Sequence, residues 1–195
     1  MIRKVIGMVK IFKYKNGKVK IMWNEQPLLK DYKYNWRKKL INIKTYEFLS
    51  TFLLGVEIKI HTGGKICYGM LAAKIYPLRK QDCVEIELAF THKNSVKYEA
   101  SGLIDDTHVY KGLPEEYTER MINQICSTIL EKEKYPQCKI VIEDSANCEI
   151  GSSPMFFGMI ADIIVNLIYT SSEDEIYNMN IETFTNQYMK YKLVY

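Results

Sequence analysis

The chain has 195 residues, enough for one domain of ordinary size and a small appendage. Hydrophobic residues make up 47% and charged residues 26%, a globular balance, and no apolar run reaches the roughly 20 residues of a membrane helix. Five cysteines without a Cys-x-x-Cys pair and three histidines without ligand spacing argue against a disulfide framework and a zinc site.

A reduced, cytoplasmic protein with no metal, no cofactor and no membrane contact is therefore expected. The start, Met1 to Gly7, has a short apolar pattern soon broken by Lys10, unlike a signal peptide. The net charge of +4 conceals an asymmetry: residues 1–44 hold 13 Lys/Arg against Glu25 and Asp31, a net of +11, whereas the rest of the chain is net −7. Such a segment suits a polyanion. It equally suits a solvated hairpin whose lysines protect an edge strand from aggregation.

The first element is a hairpin. Val5, Val9, Ile11, Phe12 and Tyr14 precede Asn16-Gly17, and Val19, Ile21 and Trp23 alternate after it. Asn-Gly between β-rich runs supplies the two positive-φ positions of a tight turn. Lys13, Lys15, Lys18 and Lys20 crowd one end of this ribbon. Tyr32 to Lys39 then interleaves aromatic and basic side chains, including Arg37, Lys38 and Lys39. That composition suits RNA, and it also suits an amphipathic connection with inward aromatics.

Thr45 to Leu54 is apolar, of undecided type, and ends at Gly55. Val56, Ile58 and Ile60 alternate with Glu57 and Lys59 as a strand running into the turn His61-Thr62-Gly63-Gly64-Lys65. Strands follow over Tyr68–Tyr76 and Cys83–Phe90, then a polar stretch with a short strand near Val96 to Ala100. Leu113-Pro114-Glu115-Glu116-Tyr117 opens a helix, with acids placed at its positive end. A buried strand begins at Ile140, and Asp144 to Pro154 reads as a polar turn. Ser153 as N-cap and Pro154 at the first helical position start a very apolar helix from Met155 to Ile168. Thr170 to Asp174 reads as a linker, and Thr183 to Tyr195 as a final strand or helix. Strands followed by two helices predict an α+β two-layer sandwich, a mostly antiparallel sheet with both helices on one face, plus an N-terminal β-hairpin. The expected divisions are residues 1–50, 51–170 and 171–195, the first forming part of the same unit as the second.

Three segments together resemble domain IV of the elongation factor G family. Thr62-Gly63-Gly64-Lys65-Ile66-Cys67-Tyr68-Gly69 is similar to its Gly-Gly-(Arg/Lys)-Gly-Gln-Tyr-Gly loop. Gly112-Leu113-Pro114-Glu115-Glu116-Tyr117 is similar to its Ile-Pro-Lys-Glu-Tyr helix start. Asp144 to Ala161 aligns without gaps on its Asp-Gly-Ser-Tyr-His-Glu-Val-Asp-Ser-Ser-Glu-Met-Ala-Phe loop, matching at Glu149, Ser152, Ser153, Met155 and Phe157. Ser153-Pro154 with Phe157 also resembles a turn of the related tetracycline ribosomal protection proteins. The resemblance covers residues 56–170 and implies the sandwich that also occurs in GHMP kinases. It implies a tip built from His61–Cys67 and Asn147–Ser153, which in that factor enters the decoding site. The tip departs from the family, because Cys148 replaces a histidine, Gly151 an aspartate, Ile66-Cys67 a Gly-Gln pair and Met70 a histidine. No P-loop is present, so neither a GTPase engine nor nucleotide binding is expected.

The expected function is thus a non-enzymatic translation-factor-like protein that binds ribosomal RNA or the ribosome. Its RNA-binding candidates are Lys13, Lys15, Lys18, Lys20, Arg37, Lys38, Lys39, Lys59, His61 and Lys65. Its tip candidates are Thr62, Gly63, Gly64, Asn147, Cys148, Glu149, Ser152 and Ser153. The alternative is an adaptor or regulator that binds a protein partner on the same scaffold, furnished with 15 tyrosines. A GHMP-kinase-like or Cys148-dependent enzyme is a distant third. Ile150-Gly151-Ser152-Ser153 is poorer in glycine than a kinase phosphate loop, and no histidine is near Cys148 in sequence. No catalytic residue is assigned.

Overall fold

The computed structural model describes residues 7–14, 16–25, 34–48, 50–62, 64–79, 82–92, 96–98, 103 and 108–170. Its strands are β1 (Met8–Tyr14), β2 (Gly17–Trp23), β3 (Asn35–Asn42), β4 (Thr45–Tyr46), β5 (Phe52–Thr62), β6 (Lys65–Pro77), β7 (Cys83–Phe90), β8 (Val109–Lys111), β9 (Tyr135–Pro136) and β10 (Cys138–Cys148). Helix α1 (Glu115–Leu130) lies between β8 and β9, and α2 (Pro154–Thr170) follows β10. The main sheet runs β1-β2-β5-β6-β10-β7-β3, with β8 pairing β10 beyond the end of β7. All its pairs are antiparallel except β7–β10. A parallel pair needs a long crossover, and here β8, α1 and β9 supply it. The architecture is α+β, an open and mostly antiparallel sheet with two helices. β1 and β2 form one margin of the sheet and β3 the other, so residues from the first 50 flank it on both sides.

Strand alternation divides the side chains between two faces. Leu54, Val56, Ile58 and Ile60 of β5, Leu71, Ala73 and Ile75 of β6, and Ile140 and Ile142 of β10 join one core with both helices. α2 packs over β5 and β6, α1 reaches β3 and β7, and the helices pack on each other. Met8, Phe12 and Trp23 from the hairpin pack against the same core. α2 is thus apolar nearly all round because it lies between the sheet and α1; Phe157, Ile160, Ile164 and Ile168 are fully buried. Ser153 Oγ accepts the amide of Phe156 at 3.2 Å, the N-cap bond the sequence predicts. No helix among the described residues is long and apolar enough to cross a membrane.

Several boundaries differ from the sequence expectation. The undecided segment 45–54 divides into β4 and the start of β5, and Gly55 lies inside β5, where a Cβ would meet the Met22 side chain at 2.6 Å. The basic–aromatic stretch at 34–39 is largely edge strand β3. The short strand expected near Val96 reduces to a bridge between Lys97 and Tyr110. The largest correction concerns Asp144 to Cys148, which belong to β10 and not to a turn. A bulge between Ile142 and Asp144 lets the strand continue through these polar residues. Their polarity is met inside the fold: Asn147 Nδ2 donates to the Gly112 carbonyl at 2.8 Å. The expectations for residues 171–195 lie outside the described residues.

Candidate nucleic-acid interface

Three turns meet at one end of the sheet. The carbonyl of Asn16, in the β1–β2 turn, accepts the amide of His61 at 2.6 Å, next to the β5–β6 turn. The turn 149–153 then sits on the start of β6. A Cβ on Gly151 would lie 1.7 Å from the Ile66 carbonyl oxygen, so only glycine permits this approach. Ser152 fastens the turn: its Oγ donates to the Tyr68 carbonyl at 2.6 Å and accepts the amide of Cys148 at 2.7 Å. Tyr117 of α1 donates its hydroxyl to the Ser152 carbonyl at 3.2 Å. Both helices therefore begin at this end and direct their partial positive charges toward it. Glu115 and Glu116 offset this at α1, whereas the first turn of α2 carries no acid.

The basic candidates separate into two groups, one running from the β1 margin inward to the start of β6 and the other on β3 at the opposite margin. In the first group Lys13 pairs across the ladder with Lys18, and Lys18 with Lys59. Directly opposed residues share a face, so three ammonium groups stand side by side on the face away from the helices. Among the described residues none of them forms an ion pair with a carboxylate. Exposed His61 lies two residues beyond Lys59, and exposed Lys65 and Gly64 complete this end. Gly64 has φ +80°, as the tight turn requires.

The other candidates are already engaged. Lys20 is turned into the sheet face, with Nζ 3.2 Å from Glu57 Oε2, and is removed from the candidate surface. In the second group Arg37 lies 3.5 Å from Glu115 and over the Phe90 ring, and Lys38 lies 2.7 Å from Glu87. Exposed Lys39 shares their strand. Lys15, Gly63 and the side chain of Thr62 lie outside the described residues. Asn147 and Cys148 are buried, so neither is a tip residue, and Cys148 is no exposed nucleophile. Ser152 and Ser153 are half-buried and bonded to the backbone, while Glu149 is exposed.

Glu57, which alternates with the apolar residues of its strand, is completely buried. Tyr98 and Val109 lie on that part of the far face and form a second apolar cluster with Met22, Tyr68 and Met70. Glu57 Oε1 accepts the Tyr68 hydroxyl at 2.9 Å, and Lys20 supplies the opposite charge. Burial, and then the charges of Glu57 and Asp144, raise the Tyr98 phenol pKa well above its ordinary value. Buried Asp162 is the second unforeseen carboxylate; it accepts from Thr128 Oγ1 of α1 and from Asn166 Nδ2 at 3.3 Å, linking the two helices. Its signal in the sequence is an acid at an inward position of an apolar helix. Among the described residues no three His, Cys, Asp or Glu side chains form a metal-binding group.

In comparisons with known proteins, no family model matches this chain and no curated protein matches it significantly.

Proposed function

We propose that this protein binds structured RNA of the translation machinery through the loop end and far face of its sheet, with no catalytic step. The carrying observation is the Lys13–Lys18–Lys59 row. Like charges directly opposed on a ladder destabilise it unless an anion covers them. A row about 10 Å long, continued by His61 and Lys65 beside the acid-free start of α2, suits successive backbone phosphates. The resemblance to elongation factor G domain IV supports the same reading, since the paired loops of that resemblance are in contact here at Gly151 and Ile66. In this reading the sandwich is of that ribosomal and GHMP type. The factor's tip chemistry is absent, so the lysine row carries affinity in place of the tip.

The test is co-sedimentation with purified ribosomes and a gel shift on structured ribosomal RNA. Binding at low salt that weakens steeply as salt rises is expected. Absence of both sedimentation and shift at low salt overturns the reading.

A second reading, an adaptor for a protein partner, has one observation of its own. Ile150 in the loop-end turn and Met155 in the first turn of α2 are each 74% exposed. A nuclease- and salt-insensitive complex lost in Ile150→Ser/Met155→Ser would favour it.

A further inference from the structure

Strand β1 is the outer member of the sheet, and among the described residues it pairs with β2 alone. The ladder shows which of its backbone groups are left over. The Asn24 amide donates to the Leu53 carbonyl, so by alternation Met22, Lys20 and Lys18 also direct their backbone groups to β5. Trp23, Ile21, Val19 and Gly17 then bond β1, through Met8, Lys10, Phe12 and Tyr14. Val9, Ile11 and Lys13 therefore point their amides and carbonyls outward. Val9 is 41% and Ile11 51% exposed, on the same face as the lysine row. An edge of this kind is a template for another strand unless its charges forbid the pairing.

The charges select the partner. A two-fold axis perpendicular to the sheet pairs β1 with itself antiparallel and keeps each face on its own side. Centred on Ile11, it sets Ile11 opposite Ile11 of the partner subunit, Val9 opposite Lys13 of the partner subunit and Lys10 opposite Phe12 of the partner subunit. All 7 residues of β1 then pair, and no lysine meets a lysine. Centring on Lys10 would instead oppose two ammonium groups at the axis. The other edge strand has no such solution. Any two-fold that pairs most of β3 centres on Arg37, Lys38 or Lys39 and opposes identical cations. The lysines of β1 thus fix a register, whereas those of β3 form a barrier.

We propose that β1 is a dimer edge, at which two copies of this chain join Met8–Tyr14 antiparallel about Ile11 into one continuous sheet. Val9, Ile11 and Lys13 of both copies supply about six backbone hydrogen bonds. The helices of both copies lie on one side of the joined sheet and both lysine rows on the other. Lys13 lies four residues along the strand from Lys13 of the partner subunit, about 14 Å. The two rows make one basic face; that role rests on the RNA reading, whereas the pairing does not. Only one strand of each copy is covered, so association is weak and depends on concentration.

Sedimentation equilibrium of the full chain without RNA, over a micromolar concentration series, tests the pairing. The weight-average mass should rise from that of one chain toward twice that value. Ile11→Lys and Ile11→Glu each place like charges at the axis and should hold the mass at one chain. An equimolar mixture of the two variants should regain the doubled mass, a rescue that a damaged fold could not give. Leu40→Lys on β3, at a position 42% exposed, should associate like the parent chain. The proposal is overturned if the parent keeps the mass of one chain throughout, the result expected were another segment or another protein to cover β1. It is overturned equally if Ile11→Lys associates like the parent, if the mixture gains nothing, or if Leu40→Lys abolishes association. The salt-dependent gel shift reads RNA binding separately, so either reading can fall without the other.

Discussion

The two margins of the sheet are equally basic in sequence and differ in what their charges meet. On β3, Arg37 faces Glu115 and Lys38 faces Glu87, so local carboxylates offset much of the charge. Across β1, β2 and β5, Lys13, Lys18 and Lys59 face one another. A charge run therefore becomes a candidate surface only where the fold denies it acids. The same contrast occurs within one strand: Lys20 is committed to buried Glu57, whereas Lys18, two residues away on the same face, is exposed.

Replacing Lys20 by Met should break this contrast most severely, because it leaves Glu57 buried without its cation. A loss of about 3 kcal/mol in urea unfolding is expected, at the lower end for a broken buried pair. Lys18→Gln should change stability by no more than about 0.5 kcal/mol in the same assay. Equal effects at the two positions would remove the distinction between them. Next in size, the triple Lys13→Gln/Lys18→Gln/Lys59→Gln variant should lower the salt slope of RNA binding by about 3, one for each phosphate left without its lysine. Arg37→Gln/Lys38→Gln, measured beside it, should change that slope much less. Comparable losses from both margins would mean that charge alone matters and its placement does not.

The β3 margin has its own pH signature. Hydrogen bonds from Lys38 and then Lys139 lower the carboxyl pKa of Glu87 below its ordinary value. A lowered carboxyl pKa contributes stability above the unfolded value, and that contribution is lost as pH falls through the folded value. The loss should therefore appear below about pH 4. Lys38→Ala should shrink it by less than about 1 kcal/mol, because Lys38 is largely exposed. The smallest effect is a reactivity difference among thiols. Half-buried Cys67 and Cys126 should react with a thiol reagent in the native protein, whereas Cys83, Cys138 and Cys148 should wait for unfolding. Fast native reaction of Cys148 would reopen the enzyme reading.

The element types are legible in the sequence where a single period dominates, as in the Asn16-Gly17 hairpin and the two helices. Asp144 to Cys148 mislead because a turn and a buried strand can share polar residues. Only the distant Gly112 carbonyl, which accepts from Asn147, shows that such residues are satisfied inside. Glu57 misleads for a related reason. Alternation places it correctly on the second face, but nothing local reveals that Tyr98 and Val109 return to that face. The two-group division of the basic residues is equally hidden, since neighbours in sequence occupy strands at opposite margins.

The bulge in β10 also acts as a phase counter for the chain. Upstream of it Ile140 and Ile142 point to the helices; downstream Ala146 and Cys148 point to the far face and Asn147 reaches Gly112. Drawing Glu143 into a regular ladder, without the bulge, would rotate every later side chain by half a period. Cys148 would then face the helices and Asn147 the tyrosines, and the Ser152 clasp on Tyr68 would lose its register. Loss of Glu143 itself should be absorbed, because Asp144 stays opposite Ala72, whereas a deletion between Ser145 and Cys148 should be punished.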